Sequence, residues 1–175
     1  MLEIKFKNKS GQMIVEAMIA ISIATAGLFG VMALLSKSIG LNRVIANHYI
    51  ANNLAAEGIE IIKYKIDKNY LSGGLKAWDD GLLESSYEVN FVSGEPSLEN
   101  SSCDNGRELY FNSGTGLYNY VSTNKRTSFK RCVSIEAIES DGDRVGLDVS
   151  SRVSWKDMAG SEFDVIVEDQ FYNWR

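Results

Sequence analysis

GQMIVEAMIAISIATAGLFGVMALLS, residues 11–36, holds one ionisable side chain, Glu16, and after it twenty consecutive residues without a charge, Ala17 to Ser36. At ~1.5 Å of rise per residue, that run is roughly 30 Å long as a helix, the thickness of a bilayer's hydrocarbon core. A buried core helix can be as apolar, but its place at a terminus beside a lysine cluster argues for a membrane span. The preceding segment, MLEIKFKNKSG (residues 1–11), carries Lys5, Lys7 and Lys9 against Glu3. Short basic flanks stay cytoplasmic, so the rest of the chain is expected to be exported, although Lys37 and Arg43 weaken the contrast. An ordinary secretory signal has a short apolar core with a small-residue cleavage site after it. Here the run is too long, and the conspicuous small residue, Gly11, precedes it. A cut after Gly11 removes the basic leader and leaves the anchor on the product.

The remainder reads as a folded protein. The chain has 175 residues, 45% hydrophobic and 23% charged, room for one globular domain and an appended element. A net charge of −5 argues against a phosphate-binding surface over most of the molecule. His48 is the only histidine, which nearly excludes His-based zinc and makes a Ser-His-Asp triad a poor reading. No metal, no cofactor and no enzymatic activity are expected. Cys103 and Cys132 are too few for a cysteine-only zinc site. They are read as one bridge formed after export or as two free thiols; a bridge closes a loop of about thirty residues, worth roughly 3–4 kcal/mol.

Glu16 needs an account, because a carboxylate at membrane depth costs a few kcal/mol. It is favoured by the dipole of a nearby helix N-terminus, or it reaches the headgroups, or its partner is a cation on another chain. After a cut behind Gly11, the new α-amino group of Gln12 is one such cation.

Basic leader, Gly11, Glu16 five positions on, and a long apolar run: the set resembles a type IV prepilin with its class III signal peptide, and is similar to minor pilins and pseudopilins. The resemblance implies cleavage between Gly11 and Gln12 by a prepilin peptidase, N-methylation of Gln12, and a role for Glu16 in docking the subunit into a filament. It also implies an inner-membrane assembly platform and other pilin subunits as partners. Two departures stand out. Gln12 replaces the family's usual phenylalanine, and Ala33 stands where a helix-interior proline is frequent, leaving Gly27 and Gly30 to loosen the helix. LAAEGIEIIK (residues 54–63), Trp78–Gly81, Tyr87–Val89 and Asn173–Trp174 resemble minor-pilin-like proteins more than major pilins.

After Lys37 the helical pattern continues. Ile39, Val44, Ile45, Leu54, Ala55, Ile59, Ile62 and Ile66 fall near one face, with Asn53, Glu57, Glu60 and Lys63 largely opposite. Helix is expected from about Met13 to Ile66, with a bend near Gly40. Beyond residue 83 the period becomes two: Tyr87, Val89 and Phe91; then Phe129, Val133, Ile135 and Ala137; then Val145, Leu147, Val149, Val153 and Trp155; then Phe163, Val165, Val167 and Phe171. Cys132 falls on the polar side of its strand. The expected fold is α+β, type IV pilin-like, with a long N-terminal helix packed on an antiparallel sheet. Its expected parts are a leader (1–11), a membrane or filament-core helix (12–36), an amphipathic continuation (37–69) and a β-rich head (70–175).

Other motifs favour structure over chemistry. Glu139, Asp141 and Asp143 offer carboxylates to calcium but lack the calcium-loop spacing, and Asp141-Gly142 is a preferred hairpin turn. Asp79 and Asp80 likewise read as a turn. LYFNSGTGLYNYVSTNKR (residues 109–126), with Lys130 and Arg131 beyond it, mixes rings and cations in a way that can hold DNA, which the acidic total disfavours. The expected function is therefore structural: a filament subunit, single-pass in the cytoplasmic membrane before assembly, with its N-terminus cytoplasmic. The alternative is a membrane-anchored ectodomain that binds a ligand or partner without polymerising.

Overall fold

A computed structural model describes residues 10–92, 94–103, 106–157 and 160–173. Lys5, Lys7 and Lys9 of the leader and Trp174 of the C-terminal Asn-Trp pair lie outside the described residues. The chain divides into two compact units, 1–45 and 46–175. Among the described residues one helix, α1 (Ser10–Leu71), contributes to both, and seven antiparallel strands follow. The layout is α+β. Helix extends five residues past Ile66, the expected end, and terminates in Gly73 and Gly74, whose φ angles of 68° and 86° are left-handed.

Within 46–175, Ala51, Leu54, Ala55, Gly58, Ile59, Ile62, Ile66 and Asn69 recur at helical spacing and are all buried. The burial of this stripe, not intrinsic propensity, makes this part of α1 stable despite its asparagines and Gly58. The stripe starts later than its apolar pattern suggests: Ile39 and Ile45 are exposed. Asn69 closes it, donating Nδ2–H to the carbonyls of Trp78 and Asp80 at 3.1 and 3.0 Å.

The strands are β1 (Ser85–Val92), β2 (Glu95–Asn100), β3 (Glu108–Asn112), β4 (Leu117–Asn119), β5 (Lys125–Ser140), β6 (Asp143–Lys156) and β7 (Glu162–Tyr172). β5, β6 and β7 form a meander in register from Lys130↔Ser154 and Trp155↔Phe163. Asp141 (φ 53°) and Gly142 (φ 87°) turn β5 into β6. Two successive left-handed residues match the twist of a two-residue hairpin, so this acidic motif is a turn.

The other edge of β5 is shared. β3 pairs with Lys125 to Lys130 and β1 with Val133 to Ile135, so the sheet forks there into β3–β4 and β1–β2. Arg131 sits at the fork on the inward face, between Phe129 and Val133, fully buried. It donates to the carbonyls of Val89 at 2.7 Å and Leu54 at 3.1 Å, and pairs with Glu57 at 3.1 Å. Where β1 leaves β5 its carbonyls lose their strand partner, and the guanidinium supplies a replacement donor.

The alternation fails in β1. Glu88, expected outside, is buried, whereas Phe91 is 45% exposed. The Glu88 carboxylate accepts from the Arg107 backbone N–H at 2.6 Å, from Ser101 Oγ–H at 3.2 Å and from the Arg107 side chain. A buried charge persists only with this degree of satisfaction. In β5 the alternation holds: Cys132 falls on the face opposite Arg131 and Val133 and is buried there by the loop between β2 and β3, whose Cys103 is joined to it by a disulfide, Cα to Cα 5.3 Å.

Candidate functional site

The functional candidates of unit 1–45 lie along the first part of α1. Every residue from Gly11 to Arg43 is exposed. This is one helix long and apolar enough to cross a membrane, and it is compatible with a single-pass membrane protein. Two of its polar groups are satisfied within the helix. Ser22 donates its hydroxyl to the Met18 carbonyl at 2.7 Å, and Thr25 donates to the Ser22 carbonyl at 2.9 Å. Both hydroxyls are satisfied without water, which is what a hydrocarbon environment demands.

Gly11 and Gln12 occupy the first turn of α1, and nothing lies within 4 Å of the place a Cβ on Gly11 would take. Glu16 is six residues past Ser10, the first described residue of α1. It is exposed and forms no ion pair among the described residues. Gly27, Gly30 and Gly40 likewise have nothing within 4 Å of a notional Cβ. Together with Ala20, Ala24 and Ala33 they give the helix surface shallow places where another helix can approach closely.

In unit 46–175 the remaining candidates are drawn into structure. His48 packs edge-on against Trp155, ring centres 4.8 Å apart, and against Phe163 at 5.8 Å. Asp79 accepts from Arg144 Nη1 at 2.9 Å, and the same atom donates to the Leu82 carbonyl at 3.2 Å, so the Trp78–Gly81 turn is pinned to β6. Among the described residues no group of three His, Cys, Asp or Glu is placed to hold a metal ion.

The ring-and-cation stretch folds as the β3–β4 hairpin and the start of β5. Arg126 pairs with Glu108, whose carboxyl this hydrogen bond holds below its usual range. Arg107 lies 4.9 Å over the Tyr120 ring, and Tyr120 donates to the Arg131 carbonyl at 3.3 Å. Burial pushes the Tyr120 phenol up to about 12. Of the four cations, Lys125 and Lys130 alone lack an ion pair among the described residues.

No protein-family model, curated protein or solved structure matches the chain. The reading of the site therefore rests on its own chemistry. Arg131, expected among the cations of this stretch, is instead fully buried; its shared parity with Phe129 and Val133, a charge at an inward register position, is the signal in the sequence.

Proposed function

We propose that this chain is a structural subunit of a type IV pilus-like filament, a minor pilin or pseudopilin, held in the membrane before assembly. The observation that carries the reading is the run from Gly11 to Arg43, exposed at every position and apolar over most of its length, with Glu16 as its one ionisable group before Lys37. So much continuous apolar surface has to be covered by lipid or by other helices. Lipid covers the helix and leaves the Glu16 carboxylate only the headgroups to reach. A neighbouring subunit whose chain starts at Gln12 covers the helix and brings an α-amino cation to that depth.

The parts then have distinct roles. The basic leader holds the N-terminus in the cytoplasm, and a prepilin peptidase cuts between Gly11 and Gln12 and methylates Gln12. Glycine lowers helix stability by ~1 kcal/mol relative to alanine, so the first turn opens readily for the peptidase. The assembly platform then moves the helix from lipid into a bundle of similar helices. The Cys103–Cys132 disulfide supports an extracytoplasmic head, since such bridges persist on the oxidising side of a membrane.

Intact-mass measurement of the protein extracted from membranes of its own cells tests this. A chain beginning at Gln12, lost on Gly11→Val, is expected. A chain that still begins at Met1 favours the non-polymerising anchored ectodomain and ends the filament reading.

A further inference from the structure

The fork in the sheet leaves a groove of about 600 Å³ on the domain 46–175, between α1 and the strands β1 and β4. Ile61 and Tyr64 line it from α1, Phe91 from β1 and Leu117 from β4. The Tyr64 and Phe91 rings meet edge to face, 5.4 Å apart. Tyr64, Phe91 and Leu117 are 42%, 45% and 62% exposed, so the domain displays this apolar surface rather than burying it. Glu60 and Asp67 follow the helical spacing of Tyr64 and line the same groove. Neither forms an ion pair among the described residues, and of the other charged groups lining the groove, Glu57 is held by Arg131 while Lys63 is the single cation.

The strands supply a further element. β4 pairs only with β3, and β1 beyond Tyr87 pairs only with β2. Each strand thus has an edge without a strand partner among the described residues. On β1 the Val89 carbonyl is capped by Arg131 and the Phe91 N–H donates to Asn90 Oδ1 at 2.9 Å, so its edge is largely occupied and the open strand edge of the groove is that of β4.

We propose that this groove binds an extended peptide segment of another protein, one that carries lysine or arginine, added as a strand. The free edge of β4 gives such a segment main-chain hydrogen bonds, and its alternating side chains give specificity. An apolar side chain finds Tyr64, Phe91 and Leu117; a cation finds the unpaired carboxylates of Glu60 and Asp67 and the faces of the rings. The proposal is a property of the domain 46–175 and does not rest on the filament reading.

The test uses the full chain in phosphatidylcholine nanodiscs and a dye-labelled, acetylated Lys-Val-Lys-Val-Lys-Val peptide, read by fluorescence anisotropy. Saturable binding is expected, with the Glu-Val counterpart silent. Glu60→Gln combined with Asp67→Asn is expected to weaken it about tenfold, the scale of two exposed ion pairs. Leu117→Ser is expected to weaken it too, and N-methylation of the valine amides to abolish it. Equal binding of the glutamate peptide, or indifference to the groove variants, overturns the proposal. Undiminished binding of the N-methylated peptide, or full competition by free butylamine, also overturns it by assigning the groove to a small amine or to side chains alone.

Discussion

Gly58 of α1 faces Ser151 of β6 so closely that a Cβ on Gly58 would run into the Ser151 hydroxyl, with Val133 Cγ2 3.1 Å from the same point. Both residues are fully or nearly fully buried, so α1 and the sheet approach through the absence of a side chain. The Ser151 hydroxyl has no hydrogen-bond partner among the described residues. Gly58→Ala is therefore expected to destabilise the fold by ~1–3 kcal/mol through overpacking. Adding Ser151→Ala is expected to recover part of that loss, since it removes both the obstacle and an unsatisfied buried group. Urea midpoints of the single and double variants, followed by tryptophan fluorescence, check the non-additivity.

Arg131 is expected to be the most sensitive polar position. Arg131→Met leaves the carbonyls of Val89 and Leu54 without their donor, at a cost of about 2–4 kcal/mol. Glu57→Gln should cost less than Arg131→Met, because the glutamine side-chain oxygen still accepts from the buried guanidinium although the counter-charge is lost. Arg131→Lys should behave nearer to Met than to wild type, since one ammonium does not reproduce the guanidinium fork. Equal urea midpoints for the Met and Gln variants would refute this ordering.

Reduction of the bridge between Cys103 and Cys132 releases a loop with a sequence separation of 29. The chain-entropy account gives a loss of roughly 3–4 kcal/mol. Oxidised protein, reduced protein and the Cys103→Ser, Cys132→Ser double variant should unfold at a high midpoint for the first and a lower one for the other two. A variant as stable as the oxidised chain would remove the bridge from the stability of the head.

Tyr120 gives a pH dependence whose sign follows from burial. Desolvation raises its phenol from 10.0 to about 12, with the Arg131 charge opposing and Glu88 assisting. A raised pKa in the folded chain means that the stabilisation is complete below pH 10 and is lost as pH climbs toward about 12. Ultraviolet titration should show one phenol lagging well behind most of the eight, and Tyr120→Phe should remove that late step. Tyr118 is raised less conspicuously, again by desolvation.

Glu16→Ala tests the filament reading beyond processing. Cleavage after Gly11 should persist, because Glu16 lies a full helical turn away. The fraction of subunit recovered in sheared surface filaments should fall, and Glu16→Gln should not restore it if charge is the operative property. Normal recovery of both variants would remove Glu16 from assembly.

The apolar run after Glu16, the basic residues before it, the helical stripe from Leu54 to Ile66, the two-residue period of β5 to β7 and the Asp141-Gly142 turn were all legible in the chain. Each is a local property: hydropathy along a segment, or the backbone freedom of one residue. Tertiary structure alone decided that Glu88 lies inside, which carbonyls Arg131 serves, that Cys132 is buried against Cys103, and that β1 and β3 share one edge of β5. A periodic pattern assigns parity to side chains but says nothing about which backbone carbonyls lose their partners when two strands part. That is known only once the strands have met, and there the demand for a buried donor outweighs the usual preference of a charge for water.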